Sequence, residues 1–241
     1  VWDWFGDSNN EAFEVFTVIH LIVFLIYLIG IISLAGTYKK IMVHKKLQRT
    51  IRRSLFYILL LSELGYQAWG TLNGIWNVKE FMPLQLCSIA GIIVMLALFF
   101  KTRILIVLAF FIGLIPSFLA ILTPELPHGY PHFRFWNFFI QHICLSWASL
   151  FLLLTSNIVI RFTDVMKAYA SLIAYACFVG FLINPWFEAN YMFLSRQPTA
   201  DTPLSMLGDG ILYILNLALI GMGIFLIQFG VYRSLKKLKS H

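Results

Sequence analysis

Two residues suited to nucleophilic chemistry stand where water is scarce: Cys87 in the stretch MPLQLCSI and His142 in FRFWNFFIQH, each a few residues inside an apolar run. A thiolate attacks an ester carbonyl when a nearby imidazole has taken its proton, and the pair must meet in space, not in sequence. The chemistry expected is acyl transfer or acyl hydrolysis. Gln85, just before the thiol, can donate to a developing oxyanion but cannot take up a proton. Glu63 and His20 are the groups available to orient the imidazole, and Gln67 lies one helical turn from Glu63 on the same face. Arg134 and His132 suit a phosphate, which a guanidinium holds by paired hydrogen bonds. The other two cysteines read as packing residues: Cys144 points away from His142 on the same helix, and Cys177 sits among small residues.

Such groups are costly in hydrocarbon, so each is a functional candidate once its segment is placed in a membrane. The 241 residues are 60% hydrophobic and 12% charged, against about one quarter charged in a soluble domain; the mean hydropathy is +0.81. Seven apolar runs approach the roughly 20 residues that cross a bilayer, at 12–36, 54–75, 84–100, 103–122, 134–156, 168–187 and 210–232. Short connections predict an all-α polytopic membrane bundle of seven transmembrane helices, with 1–241 as one domain. At about 1.5 Å rise per residue, His20 and His142 lie roughly 12 Å inside the outer ends of their helices, Cys87 some 5 Å and Glu63 about 18 Å. Polar side chains from four helices thus share the outer half, which points to a cavity opening outward or into the outer leaflet. Pro83 suits a first helical turn, placing Gln85 and Cys87 in the first two turns, near the positive end of the macrodipole, where a thiol pKa falls unless burial opposes it.

Orientation follows from the cations. Fifteen of the eighteen lysines and arginines fall on one side, seven of them in the loop YKKIMVHKKLQRTIRR. The amino terminus is therefore expected outside and the carboxy terminus in the cytoplasm. The first run is too long, and too far from a basic start, to read as a signal peptide; Asp3, Asp7, Glu11 and Glu14 precede it. A net charge of +7 confined to cytoplasmic loops is an orientation signal that also attracts anionic head groups, and it calls for no nucleic acid. His128 and His132 are four apart, but Pro131 disfavours a helix across them and no HExxH occurs, so neither a metal nor a cofactor is expected. A non-catalytic alternative stands beside the enzyme: a transporter, receptor-like module or accessory subunit with a ligand or partner in the same outward cavity. The seventh run holds no lysine for a retinal Schiff base, and no paired-aspartate or GxSxG pattern suggests an intramembrane protease.

The stretches MPLQLCSI, LTPELPHGYPHFRFWNFFIQH and NYMFLSRQP, in this order, resemble the YwaF family of bacterial integral membrane proteins, related to the eukaryotic transmembrane protein 164 family. The resemblance covers nearly the whole chain. It implies a helical bundle in the bacterial cytoplasmic membrane and an acyltransferase that moves a fatty acyl chain between phospholipids through a cysteine. By matching motif positions that cysteine is Cys87 and its partner His142, with Asn190 and Tyr191 of the third stretch as lipid contacts. Many relatives carry histidine where this chain has Gln85, and glycine where it has Ile143, so the base role falls on His142. The partner implied is a membrane lipid; the sequence does not specify a protein partner.

Overall fold

The computed structural model describes residues 4–7, 13–198 and 203–238; Asp3 and Glu11, among the acids before the first run, lie outside them. The helices are α1 (Val18–Val43), α2 (Lys45–Leu72), the single turn α3 (Val78–Phe81), α4 (Leu86–Phe100), α5 (Arg103–Leu122), α6 (Phe133–Thr155), α7 (Phe162–Phe178), the turn α8 (Asn184–Phe187) and α9 (Gly210–Leu238). A π-helical segment, Val179–Ile183, joins α7 to α8, and 3₁₀ turns occupy Tyr191–Phe193 and Pro203–Met206. No strand occurs among the described residues.

Local chemistry sets these boundaries. The Thr17 hydroxyl accepts from the His20 amide at 3.5 Å and caps α1. The ring of His132 does the same for α6, accepting from Arg134 N at 3.1 Å directly after Pro131, which cannot continue a helix backward. Asp164 Oδ2 accepts from Arg161 N at 2.7 Å and starts α7 earlier than the expected 168. The expected basic loop after the first helix is instead helical on both sides: α1 runs to Val43, α2 begins at Lys45, and His44 alone breaks the path with φ −87° and ψ 85°. Lysine and arginine are good helix formers, so charge here ends the membrane segment without ending the helix. Pro83 lies in a turn and α4 starts at Leu86; Gln85 therefore precedes the helix, and only Cys87 is in its first turn.

Five helices are long and apolar enough to cross a membrane: Val18–Val43, Arg103–Leu122, Phe133–Thr155, Phe162–Phe187 and Gly210–Lys236. The apolar α4, with 15 residues, is shorter, and α2 falls short in hydropathy because its carboxy-terminal half carries Glu63, Tyr66, Gln67 and Thr71. Burial is inverted relative to a water-soluble protein: Ile29, Ile32, Leu219, Phe181 and Trp186 are exposed, while His20, Asn137, His142, Ser146 and Ser149 are buried. A broad exposed apolar surface of this kind fits lipid as the surrounding solvent.

The chain forms two compact units, Val1–Asn77 with Cys87–Ile158, and Val78–Leu86 with Val159–His241. In the first, α6 is the central helix, closely packed by α5, α2 and α1. Its core gathers Val23, Tyr27, Ile121, Leu126, Phe135, Phe139 and Ile143. Gly30 allows the closest approach there: a Cβ at this position would stand 2.0 Å from the Trp147 ring, whose Nε1 donates to Tyr27 O at 3.1 Å. In the second unit α7 packs on α9, with Tyr169 Oη donating to Ala218 O at 2.6 Å, and a smaller core forms around Val179, Ala189 and Tyr191.

Candidate functional site

Polar residues on α6 fall into two stripes. Arg134, Asn137 and Gln141, at spacings of three and four, face α2. Asn137 Nδ2 donates to Ser62 O at 2.7 Å, and Gln141 Nε2 reaches Glu63 Oε2 at 3.4 Å. Glu63 Oε1 accepts from Gln67 Nε2 at 3.0 Å, and Gln67 Oε1 accepts from Trp76 Nε1 at 2.8 Å. The Arg134 guanidinium lies 4.0 Å over the Tyr66 ring and 5.2 Å from that of Trp69, and it donates to Asn137 Oδ1 at 3.4 Å. That is its single hydrogen bond among the described residues, so most of its five N–H donors remain uncommitted. Glu63 and Arg134 share this seam without an ion pair.

The second stripe, His142, Ser146 and Ser149, turns about 100° away, one residue's rotation on a helix. Ser146 Oγ pairs with Tyr27 Oη at 3.1 Å and donates to Leu114 O at 3.3 Å. Ser149 meets Gly113 of α5, where a Cβ would come within 2.2 Å of Ser149 Oγ and 3.4 Å of Val94 Cγ2. Three helices thus converge on Gly113. Because Leu114 meets Ser146 while Gly113 meets Ser149, α5 and α6 are antiparallel. The link from α4 to α5 is only Lys101 and Thr102, so α4 and α6 run the same way. Cys87 precedes Val94 by the same two turns by which His142 precedes Ser149, about 10 Å in each case. The thiol and the imidazole therefore stand at one level of the first unit.

No hydrogen bond joins Cys87 and His142 among the described residues. His142 is buried, and its Nδ1 contacts Phe138 O at 2.7 Å. A carbonyl only accepts, so Nδ1 carries the proton and Nε2 the lone pair. Nε2 has no hydrogen-bond partner among the described residues. Glu63 belongs to the other stripe; the group that orients the His142 ring is its own helix backbone. Cys87 is half-buried, Cys144 buried and Cys177 exposed.

The remaining histidines are committed elsewhere. His20 Nε2 donates to Ile121 O at 2.8 Å, and Nδ1 accepts from Phe16 N at 3.0 Å, which ties α1 to the end of α5. His132 uses Nδ1 for its cap and Nε2 for Gly6 O at 2.8 Å, leaving nothing for a phosphate. Its ring stacks on His128 at 4.2 Å, and both rings meet Trp69 edge to face. Over them lies the bent segment 4–7, whose carbonyls are taken in succession. Trp4 O accepts from Phe133 N at 2.8 Å, Phe5 O from Trp69 Nε1 at 2.7 Å and from Asn73 Nδ2 at 3.0 Å, and Gly6 O from His132. Asp7 Oδ1 stands 3.6 Å from His128 Nε2. Burial, then the neighbouring His132, hold the His128 pKa below the usual histidine value; Asp7 opposes this and Arg134 adds to it.

In the second unit the expected contacts Gln85, Asn190 and Tyr191 serve the backbone. Gln85 Oε1 accepts from Met192 N at 2.8 Å, which leaves its amide nitrogen without a partner among the described residues. Asn190 Oδ1 accepts from Ser195 N and Arg196 N at 3.1 and 3.0 Å, and its Nδ2 donates to Arg196 O at 2.9 Å. Tyr191 is fully buried; its hydroxyl donates to Val78 O, and its main chain exchanges two hydrogen bonds with the Asn184 side chain at 2.9 and 3.0 Å. Lys79 and Glu188 pair at 2.7 Å, and Tyr175 Oη donates to Leu84 O at 2.9 Å. The segment Asn190–Arg196 is pinned along its length and is not an open lid.

Sequence reasoning missed Asn137, Gln141 and the 4–7 segment. The first two carried a signal, since they continue Arg134 at i+3 and i+7 on an otherwise apolar helix; the segment gave none, because it is held through carbonyls that every residue has. The family model described as TMEM164 family matches residues 12–229. No curated protein and no solved structure matches the chain.

Proposed function

The chain belongs to the TMEM164 family, and on that premise we propose that it is an integral-membrane acyltransferase or acyl hydrolase acting on a phospholipid, of the bacterial YwaF type, with Cys87 as nucleophile and His142 as base. The protein crosses a bacterial cytoplasmic membrane seven times, amino terminus outside, and works at the outer leaflet. The observation that supports the reading is the contact of Val94 and Ser149 around Gly113, since Cys87 precedes the one and His142 the other by the same two helical turns, with His142 Nδ1 fixed on Phe138 O so that Nε2 is the basic nitrogen.

In the reaction His142 Nε2 takes the Cys87 proton and the thiolate adds to the ester carbonyl. The tetrahedral adduct collapses to a thioester, and the departing lipid alkoxide takes the proton back from His142. An acceptor hydroxyl, or water, then gives its proton to Nε2, attacks the thioester and restores the thiol. Arg134, with uncommitted donors on the α2–α6 seam, holds the lipid phosphate, while Glu63 and Gln67 keep that seam rigid.

The test is turnover of labelled phospholipid by the purified protein, with a lysophospholipid or water as acceptor. Cys87→Ala abolishes turnover, and an acyl adduct on Cys87 is seen by mass spectrometry in the wild type only. His142→Gln lowers the rate about 100-fold or more, the usual weight of a general base. Undiminished turnover in Cys87→Ala overturns the mechanism. A second reading, a non-catalytic ligand- or partner-binding subunit, is favoured by one observation: Gln85, His20, His132, Asn190 and Tyr191 all serve the backbone. An inert wild type with no adduct selects it.

A further inference from the structure

The corner between α1 and α2 is a continuous cationic surface. Lys39, Lys40, Lys45, Lys46, Arg49, Arg52 and Arg53 all fall within fifteen residues, and no acid occurs between Glu14 and Glu63. Six of the seven are exposed and Arg52 is half-buried. None forms an ion pair among the described residues. A loop would let such charges spread, but here they are set in two helices that meet at His44, whose Nδ1 contacts Lys40 O at 2.9 Å. On α2 the buried residues Leu55 and Leu59 continue the Ile51 row at i+4, while Lys45, Arg49 and Arg53 form a parallel i+4 row about 160° away on the helix.

We infer that this corner is a docking surface for the head groups of anionic phospholipids. The occupant is chosen by position and charge. Lys39 and Lys40 directly follow the apolar part of α1, and the nine residues from Arg53 back to Lys45 span only about 12 Å. All seven cations therefore stand within roughly a Debye length or two of the hydrocarbon edge, where lipid phosphates lie. A soluble acidic polypeptide would use the charges but gain nothing from their level. The surface works independently of the acyl reaction, since its residues lie on the opposite end of α2 from Glu63 and Gln67.

Native mass spectrometry of the full chain, released from detergent micelles containing equal phosphatidylglycerol and phosphatidylcholine, reads the preference without depending on how the chain inserts. The wild type retains phosphatidylglycerol over phosphatidylcholine, and added salt erodes the preference. The variant Lys45→Gln/Lys46→Gln/Arg49→Gln/Arg53→Gln loses it by about five-fold or more, since each Lys or Arg near an anionic surface strengthens attraction by about that factor. Arg49→Lys/Arg53→Lys retains it. Circular dichroism that is helical in every variant separates lost binding from lost folding. Equal retention of the two lipids by the wild type, or an undiminished preference in the quadruple glutamine variant, overturns the inference. So does displacement of the bound phosphatidylglycerol by poly-glutamate at physiological salt, which would assign the surface to an acidic protein.

Discussion

Four histidines of the first unit illustrate how a side chain's partners decide its role. His20 and His132 spend both ring nitrogens on main-chain groups, so His20→Gln and His132→Ala act on stability. A lost cap or buried hydrogen bond costs about 1–3 kcal/mol, and thermal unfolding in detergent should register it while the turnover of the remaining folded protein is retained. His142 spends one nitrogen, so under the proposed mechanism its replacement should act on turnover. His128 has a buried Nδ1 with no hydrogen-bond partner among the described residues and a pKa below the usual value, set chiefly by burial. Its neutral form is the folded form. The unfolded chain then binds more protons as pH falls through the ordinary histidine value of about 6.5; the contribution of this contact to stability is complete above that pH and is lost progressively below it. Hydrogen exchange at Trp69 Nε1 and at the Phe133 amide, which hold the 4–7 segment, should accelerate as pH falls below about 6.5 relative to the intrinsic rate. His128→Gln should flatten that dependence, and an unchanged profile in the variant would assign it elsewhere.

At the scale of elements, Gly113 carries the argument because α4, α5 and α6 meet there. Gly113→Ala forces a methyl to 2.2 Å from Ser149 Oγ and should destabilise the bundle by about 1–3 kcal/mol, the range for overpacking. The same contact predicts rescue: Ser149→Ala removes the clashing oxygen, so the double variant should unfold nearer the wild-type temperature than Gly113→Ala alone. A double variant no better than the single one would show that the helices do not close on this residue. In the second unit Asn184→Ala removes both hydrogen bonds to the Tyr191 backbone and should expose the Asn190–Arg196 segment to proteolysis without unfolding α7. These elements also show what was legible beforehand. Apolar runs of 20 residues found α1, α5, α6, α7 and α9, because periodicity matters little when the whole helix must be apolar. Depth was legible only as a coarse expectation, some 5 Å for Cys87 and roughly 12 Å for His142 inside the ends of their helices. Rotation was not. A one-residue step on α6 separates Gln141, which meets Glu63, from His142, which does not, and residue spacing on one helix cannot say which face a second helix takes. Gln85 and Tyr191 were read as chemical groups for a similar reason, since their backbone partners Met192 and Val78 lie far along the chain.

For the molecule as a whole, the way α2 and α4 sit in the bilayer decides the topology. From Ser54 to Leu72 α2 is about 28 Å long, close to the roughly 30 Å of hydrocarbon, whereas the 15 residues of α4 reach about 22 Å. Both odd totals, five crossings or seven, put the chain's ends on opposite sides, so the ends do not distinguish them; the connection 73–85 does. If α2 and α4 cross, that connection lies on the amino-terminal side. If both stay within one leaflet, it lies with the cationic corner. Charge favours crossing, because the connection holds Lys79 as its single cation, beside Glu80, while the other end of α2 holds five. In a background with Cys87, Cys144 and Cys177 replaced by alanine, Asn77→Cys should react with a membrane-impermeant maleimide on intact cells, and Lys46→Cys only after permeabilisation. Reaction of both only after permeabilisation would make α2 and α4 a re-entrant pair. The thiol would then approach lipid from the inner leaflet, and the acyl donor would have to be sought there.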